Sequence, residues 1–213
     1  MSDAPALLVS GPVEADWTLA LAHGAGAAMD SPFLNDFSGL VSAEGVRVVR
    51  FEFPYMAARR EGRRRPPDRE PVLRATWAAV VAALRAELPD RARLAIGGKS
   101  MGGRIASMVA DEIGADALVC LGYPFHPPRQ PTRLRTSHLP ELRVPALIVQ
   151  GERDPFGTRE EVAHYALSPS TRLHWLCDGD HSFEPRRRSG RDGAANLAEA
   201  AQAVVGFLRS QSA

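Results

Sequence analysis

The sequence predicts an α/β fold, a mostly parallel sheet sandwiched by helices. Three observations carry this: six apolar runs of strand length recur along the chain, stretches with helical periodicity separate them, and most chemically capable residues follow directly after a run. Near-continuous apolar runs are strands covered on both faces, and strict alternation with helices is the mark of a parallel sheet. Such sheets gather ligand sites beyond the carboxyl ends of their strands. With 213 residues the chain is long enough for one substantial core, so residues 1–213 are expected to form a single domain.

The elements follow in order. WTLALAHG (residues 17–24) is the first run and VRVVRFEFP (46–54) the second. PVLRATWAAVVAALRAEL (71–88) then puts Leu73, Trp77, Val80, Val81 and Leu84 on one helical face, with Pro71 suited to a first turn. RLAIGG (93–98) is the third run; the helix expected after Ser100 carries Met101, Ile105, Met108 and Val109 on one face, with Gly114 as its stop. ALVCLGYP (117–124) leads into a proline- and arginine-rich stretch over 123–145, and a loop of that length is usually functional or mobile. ALIVQGE (146–152) precedes TREEVAHYAL (158–167), where Thr158 is placed to cap a helix with acids in its first turn. LHWLCDG (173–179) is the last run, and a closing helix aligns Leu197, Ala200, Ala201, Val204, Val205 and Leu208.

Composition narrows the function classes. A chain that is 45% apolar and 24% charged, with no apolar stretch near the roughly 20 residues of a membrane span, reads as soluble and cytoplasmic, with no membrane partner. The net charge of +1 gives no reason to expect nucleic acid. Two arginine clusters, RREGRRR (59–65) and RRRSGR (186–191), stand out as either solvated loop charge or a means of recruiting an anionic substrate or partner. Cys120 and Cys177 form no C-x-x-C pair and are expected as buried free thiols, and no metal-ligand spacing occurs.

The stretch AIGGKSMGGR (95–104) sets Gly98, Ser100 and Gly102 in a G-x-S-x-G frame between a strand and a helix, the sequence of a nucleophile elbow. A serine hydroxyl needs a base, and the base needs an acid to fix its tautomer. Asp154 follows the fifth run and His181 the sixth, in the order Ser, Asp, His that this architecture uses. His126, in YPFHPP beyond another strand end, is the one rival base; Asp178 and Asp180 flank His181 and are assigned to loop hydrogen bonding. An oxyanion would need two donors, the N–H of Met101 at a helix start and that of Ala25 in the small-residue loop GAGA. Phe33, Tyr55, Met56 and Phe125 are the expected pocket walls. Lys99 is the only lysine in the chain. A side chain next to the serine at a strand end points the other way, so Lys99 is expected to prop the His181 loop through a carboxylate such as Asp178 or Asp180.

With those residues assembled, the chain resembles the α/β-hydrolase superfamily, and within it the small, lid-less, dienelactone-hydrolase-like members. HGAGAAMDSPF, RFEFPYM, GGKSMGGR, YPFHPP, GERDPFG and DGDHSF are similar to the blocks of a little-characterised group of small predicted hydrolases, and they span residues 23–183. The resemblance implies a minimal hydrolase fold without a cap domain and a cofactor-free serine hydrolase with Ser100 as nucleophile, Asp154 as acid and His181 as base. Small or medium carboxylic esters or thioesters are the implied substrates. Dienelactone hydrolases use cysteine where this chain has Ser100, which argues against dienelactone turnover. Two other readings remain at this point: a non-catalytic interaction protein on the same fold, and an acyl-CoA thioesterase or acyltransferase whose arginines meet phosphate.

Overall fold

The computed structural model describes residues 5–89 and 91–212. Seven strands form one sheet in the order β1-β3-β2-β4-β5-β6-β7. They are β1 (Leu7–Ser10), β2 (Trp17–Ala22), β3 (Arg47–Phe51), β4 (Arg93–Lys99), β5 (Ala117–Leu121), β6 (Ala146–Gly151) and β7 (Thr171–Leu176). Every neighbouring pair is parallel except β1 with β3. All six apolar runs are strands. The central strands β2, β5 and β6 are buried along their whole length, whereas β7, at an edge, is half exposed.

Helices cover both faces. One face carries α1 (Pro32–Ala43) and α6 (Gly193–Ser210), whose Phe37, Val41, Val204 and Leu208 pack on Leu19 and Val119. The other carries α3 (Glu70–Glu87) and α4 (Met101–Val109), where Trp77, Val80 and Ile105 meet Ala20 and Ile96. All five residues of the expected α3 stripe are buried, and Pro71 lies in its first turn. Two short helices complete the set, α2 (Pro54–Arg60) and α5 (Arg159–Val162).

Four sequence expectations change. The helix expected over 158–167 shrinks to the single turn of α5, although Thr158 and Glu161 do form the reciprocal capping box expected there. Beyond it the Ser168 hydroxyl donates to Leu142 O, turning the chain back toward β7. The stretch 123–145 is partly core, its longest exposed run being residues 128–134. Tyr123, Phe125, Leu139, Leu142 and Val144 bury themselves in the α3/α4 core, doing the work of a crossover helix. Cys177 is exposed, because it follows the end of the edge strand, while Cys120 is buried and its thiol is pushed up by that burial. Finally, β1, α1 and α2 add elements that the six-run pattern does not contain.

Parallel strands pointing one way bring the ends of β2, β4, β6 and β7 to one edge, where His23, Ser100, Asp154 and His181 lie. The approach of β2 to the β4–α4 turn is close. A Cβ on Gly98 (φ +154) would sit 2.2 Å from Ala22 O, and one on Gly102 would sit 2.4 Å from Ala22 O and 2.7 Å from His23 O. Backbone cannot yield cheaply there, so Gly102→Ala is expected to cost about 2–3 kcal/mol in urea unfolding. Gly26→Ala, with nothing within 4 Å of the new methyl, is the control that should leave the midpoint in place.

Candidate active site

Ser100 caps α4 with φ 53 and ψ −115, a conformation that costs a non-glycine residue on the order of 1–3 kcal/mol. Its N–H donates to Leu121 O at 2.9 Å, fixing the turn against β5. Ser100 Oγ lies 2.9 Å from His181 Nε2, and His181 Nδ1 lies 2.7 Å from Asp154 Oδ2. A carboxylate accepts, so Nδ1 carries the proton and Nε2 is left to accept from the serine hydroxyl. The Phe156 ring lies 4.3 Å from the imidazole, tilted by 35°.

Asp154 is fully buried, and its second and third hydrogen bonds explain how that is tolerated. Phe156 N–H donates to Oδ1 at 2.9 Å, and Gln150 Nε2 donates to Oδ2 at 2.9 Å. Gln150 is itself enclosed in β6, where its Oε1 accepts from Tyr123 N–H at 2.7 Å. The sequence reading missed this residue. Its signal was present, a lone polar side chain in the apolar run ALIVQG.

The loop after β2 is shaped from below. Burial lowers the His23 pKa, and its Nε2 accepts from Phe53 N–H at 3.1 Å, so the neutral ring donates through Nδ1 to Gly24 O at 2.7 Å. The Tyr55 hydroxyl donates between Gly24 O and Ala25 O, at 3.3 and 3.1 Å. In a planar trans peptide the N–H opposes the C=O, so drawing Gly24 O inward sends the Ala25 N–H outward. Met101 opens α4, and the first amides of a helix have no intrahelical acceptor.

A cavity of about 480 Å³ lies over these groups, lined by Gly24, Ala25, Phe33, Leu34, Ser100 and Phe156 among others. Of the four expected walls only Phe33 is among them. Tyr55, Met56 and Phe125 face the core instead: Tyr55 reaches the loop carbonyls, Met56 packs in the α3/α4 cluster, and Phe125 presses on Gly157 and Tyr165. His126 is buried with Nδ1 on Pro127 O and Nε2 3.5 Å from Glu161, apart from Ser100. Asp180 Oδ1 accepts from Ser182 and Glu184 N–H, the loop bonding expected of it.

Asp178 pairs with Arg186 and Arg153, and the Arg186 hydrogen bond holds its carboxyl down at about 2. Both arginine clusters spend part of their charge internally, while Arg64, Arg65, Arg187 and Arg188 stay exposed. Arg60 bridges Glu52 and Asp30, Arg63 meets Glu61, and Arg191 meets Glu199. Among the described residues no group of three or more His, Cys, Asp or Glu is placed to hold a metal ion, and no helix is long and apolar enough to cross a membrane.

Comparison with known proteins places the fold. A family model described as an alpha/beta hydrolase domain matches residues 15–209. Among solved structures, an α/β serine hydrolase without lid from Xanthomonas campestris is similar at 20% identity and TM-score 0.71, over 96% of this chain and 88% of that one. A dienelactone hydrolase from Anabaena variabilis matches at 21% identity and TM-score 0.70, over 96% and 90%. An esterase from Pyrococcus furiosus matches at 16% identity and TM-score 0.69, over 92% and 82%. At these identities the likeness is one of fold.

Two outcomes test the network. Gln150→Leu strands Tyr123 N–H and strips a donor from Asp154, so it should cost about 2 kcal/mol in urea and lower any turnover. The second concerns Lys99, whose ammonium burial holds at about 8, below its ordinary 10.5, against the raising fields of Asp154 and Asp180. Between those pH values the unfolded chain keeps a proton that the folded chain has lost, so stability rises with pH across that window. Below pH 8 both states are protonated and the burial cost stands in full. The stability of wild type relative to Lys99→Met, followed by urea unfolding, should therefore climb from about pH 8 to pH 9.5.

Proposed function

The chain belongs to the alpha/beta hydrolase domain family, and we propose that within it the protein is a cofactor-independent serine hydrolase of carboxylesterase type. The observation that carries this reading is the Ser100–His181–Asp154 relay at 2.9 and 2.7 Å, with the imidazole in the one tautomer that can accept from serine.

The chemistry runs in two halves. Ser100 Oγ attacks the acyl carbon of the ester while His181 Nε2 takes the hydroxyl proton, and the carbonyl π electrons move onto oxygen. Asp154 stabilises the resulting imidazolium and keeps the ring from turning. The oxyanion is received by the N–H groups of Ala25 and Met101, the first aimed outward by the pull on Gly24 O and the second free at the start of α4. Collapse expels the alcohol, which leaves with the proton from His181. A water activated by the same nitrogen then attacks the acyl-Ser100 carbonyl, and the acid departs as Ser100 regains its proton. None of these steps requires a metal or cofactor.

Pocket size and lining set the substrate class. A cavity of about 480 Å³ walled by Phe33, Leu34 and Phe156 favours small or medium apolar acyl groups. Arg60 and Arg191 are engaged in internal pairs, so an acyl-CoA substrate would have to be met by the exposed Arg64, Arg65, Arg187 or Arg188.

A fluorophosphonate probe should label wild type and fail on Ser100→Ala, with hydrolysis of p-nitrophenyl acetate and butyrate lost in parallel. Folded wild type that neither labels nor hydrolyses any ester of the series overturns the proposal. Tyr55→Phe should lower kcat roughly tenfold with little change in KM, because it loosens the peptide that aims the Ala25 donor.

A further inference from the structure

Lys99 is unused by the chemistry above, yet its surroundings are unusually specific. The side chain lines the same cavity as Ser100, and its Nζ donates to the main-chain carbonyl of His181 at 2.6 Å. The expected carboxylate partner is not there: Asp178 is taken by two arginines and Asp180 by backbone amides. The ammonium instead faces the rings of Phe33 and Phe183, at 5.4 and 5.8 Å from their centres. Gly122 makes the room for it. A Cβ there would lie 2.9 Å from Lys99 Nζ, 3.2 Å from His181 O and 3.3 Å from His181 Nδ1, so ammonium, carbonyl and imidazole converge on a space that a side chain would fill.

The loop after β7 is tied on both sides of His181: Asp180 N–H donates to Glu184 O, and Asp180 Oδ1 accepts from Ser182 and Glu184 N–H. Asp178 is anchored by Arg186 and Arg153, and Phe183 O by Asn196. Among the described residues, the Lys99 ammonium is the one donor to the His181 carbonyl. It grips the residue at its own peptide, while Asp154 grips the ring.

We propose that Lys99 is a positioning residue for His181: its buried ammonium clamps the His181 main chain so that Nε2 meets Ser100, and Phe33 couples that clamp to the substrate wall. The proposal rests on the serine hydrolase reading. It also accounts for the single lysine in a chain otherwise served by arginine. A compact point charge sits between the two rings where Gly122 leaves room for it, and a bulkier planar guanidinium is expected to crowd that space.

Lys99→Met keeps the stem and removes the charge. With p-nitrophenyl acetate it should lose roughly 10–100-fold in kcat with KM changed by less than about twofold, the signature of a displaced base. Its melting temperature should stay at or above wild type, since a costly buried charge is gone. The low-field NMR resonance of the His181 Nδ1–H, bonded to Asp154, should broaden or vanish. Lys99→Arg should show the same losses.

A folded Lys99→Met with wild-type kcat and an unchanged low-field proton overturns the proposal. So does a loss of kcat that merely tracks a fall in melting temperature. Wild-type behaviour of Lys99→Arg removes the requirement for a compact ammonium. If wild type fails to label with fluorophosphonate while Lys99→Met still loses the low-field proton, the hydrolase reading fails and the clamp stands.

Discussion

The close contact between the end of β2 and the turn carrying Ser100 is the constraint from which the rest of the site follows. Ala22 O and His23 O occupy the space where side chains at 98 and 102 would be, so strand and helix can approach only because both positions are glycine. That approach sets the Gly24–Ala25 loop beside the first amides of α4. It also forces Ser100 into a sparsely allowed conformation. The strain is of order 1–3 kcal/mol. Burial of Leu19, Ile96, Ile105 and Val119 on the two faces of the same sheet is ample to hold it.

The arms of the site are fixed by polar residues enclosed in or beside apolar strands. Gln150 ties Asp154 to the end of β5, and His23 ties the donor loop to Phe53 beyond the end of β3. In a low-dielectric interior an amide or imidazole with a lost partner is costly, so each of these groups has one favourable arrangement. The consequence is preorganisation without a lid. Neighbouring strands align Ser100, His181 and Asp154, and the stretch 123–145 puts Tyr123, Phe125, Leu139, Leu142 and Val144 into the core while residues 128–134 stay exposed.

Much of this was legible in the sequence, for reasons that also explain the omissions. The buried strands announce themselves through continuous apolar runs, and α3 through a stripe whose every member is buried. Ser100, Asp154 and His181 could be ordered because each follows a strand, and the structure brings them within hydrogen-bond distance. β1 is four residues at an edge and α2 seven residues, too short for a period to emerge. α1 was within reach, since Leu34, Phe37, Ser38 and Val41 trace one face. Pocket walls were the least legible part. An aromatic near a motif looks the same whether it faces a ligand or the core, and Tyr55 and Phe125 proved to be wholly buried.

A second serine–histidine contact in the molecule shows why tautomer, and not proximity, identifies the base. Ser107 Oγ lies 2.8 Å from His138 Nε2, slightly closer than Ser100 is to His181. Ser107, however, already donates its proton to Arg104 O at 2.7 Å, so His138 Nε2 must be the donor in that pair and has no lone pair free to accept. At Ser100 the roles are reversed. Asp154 claims the Nδ1 proton, which leaves Nε2 as the acceptor and the serine hydroxyl with a base to receive its proton. On the proposed reading, what sets Ser100 apart from Ser107 therefore lies with the third group: Gln150 and Phe156 N–H orient Asp154, and Asp154 decides which imidazole nitrogen can accept.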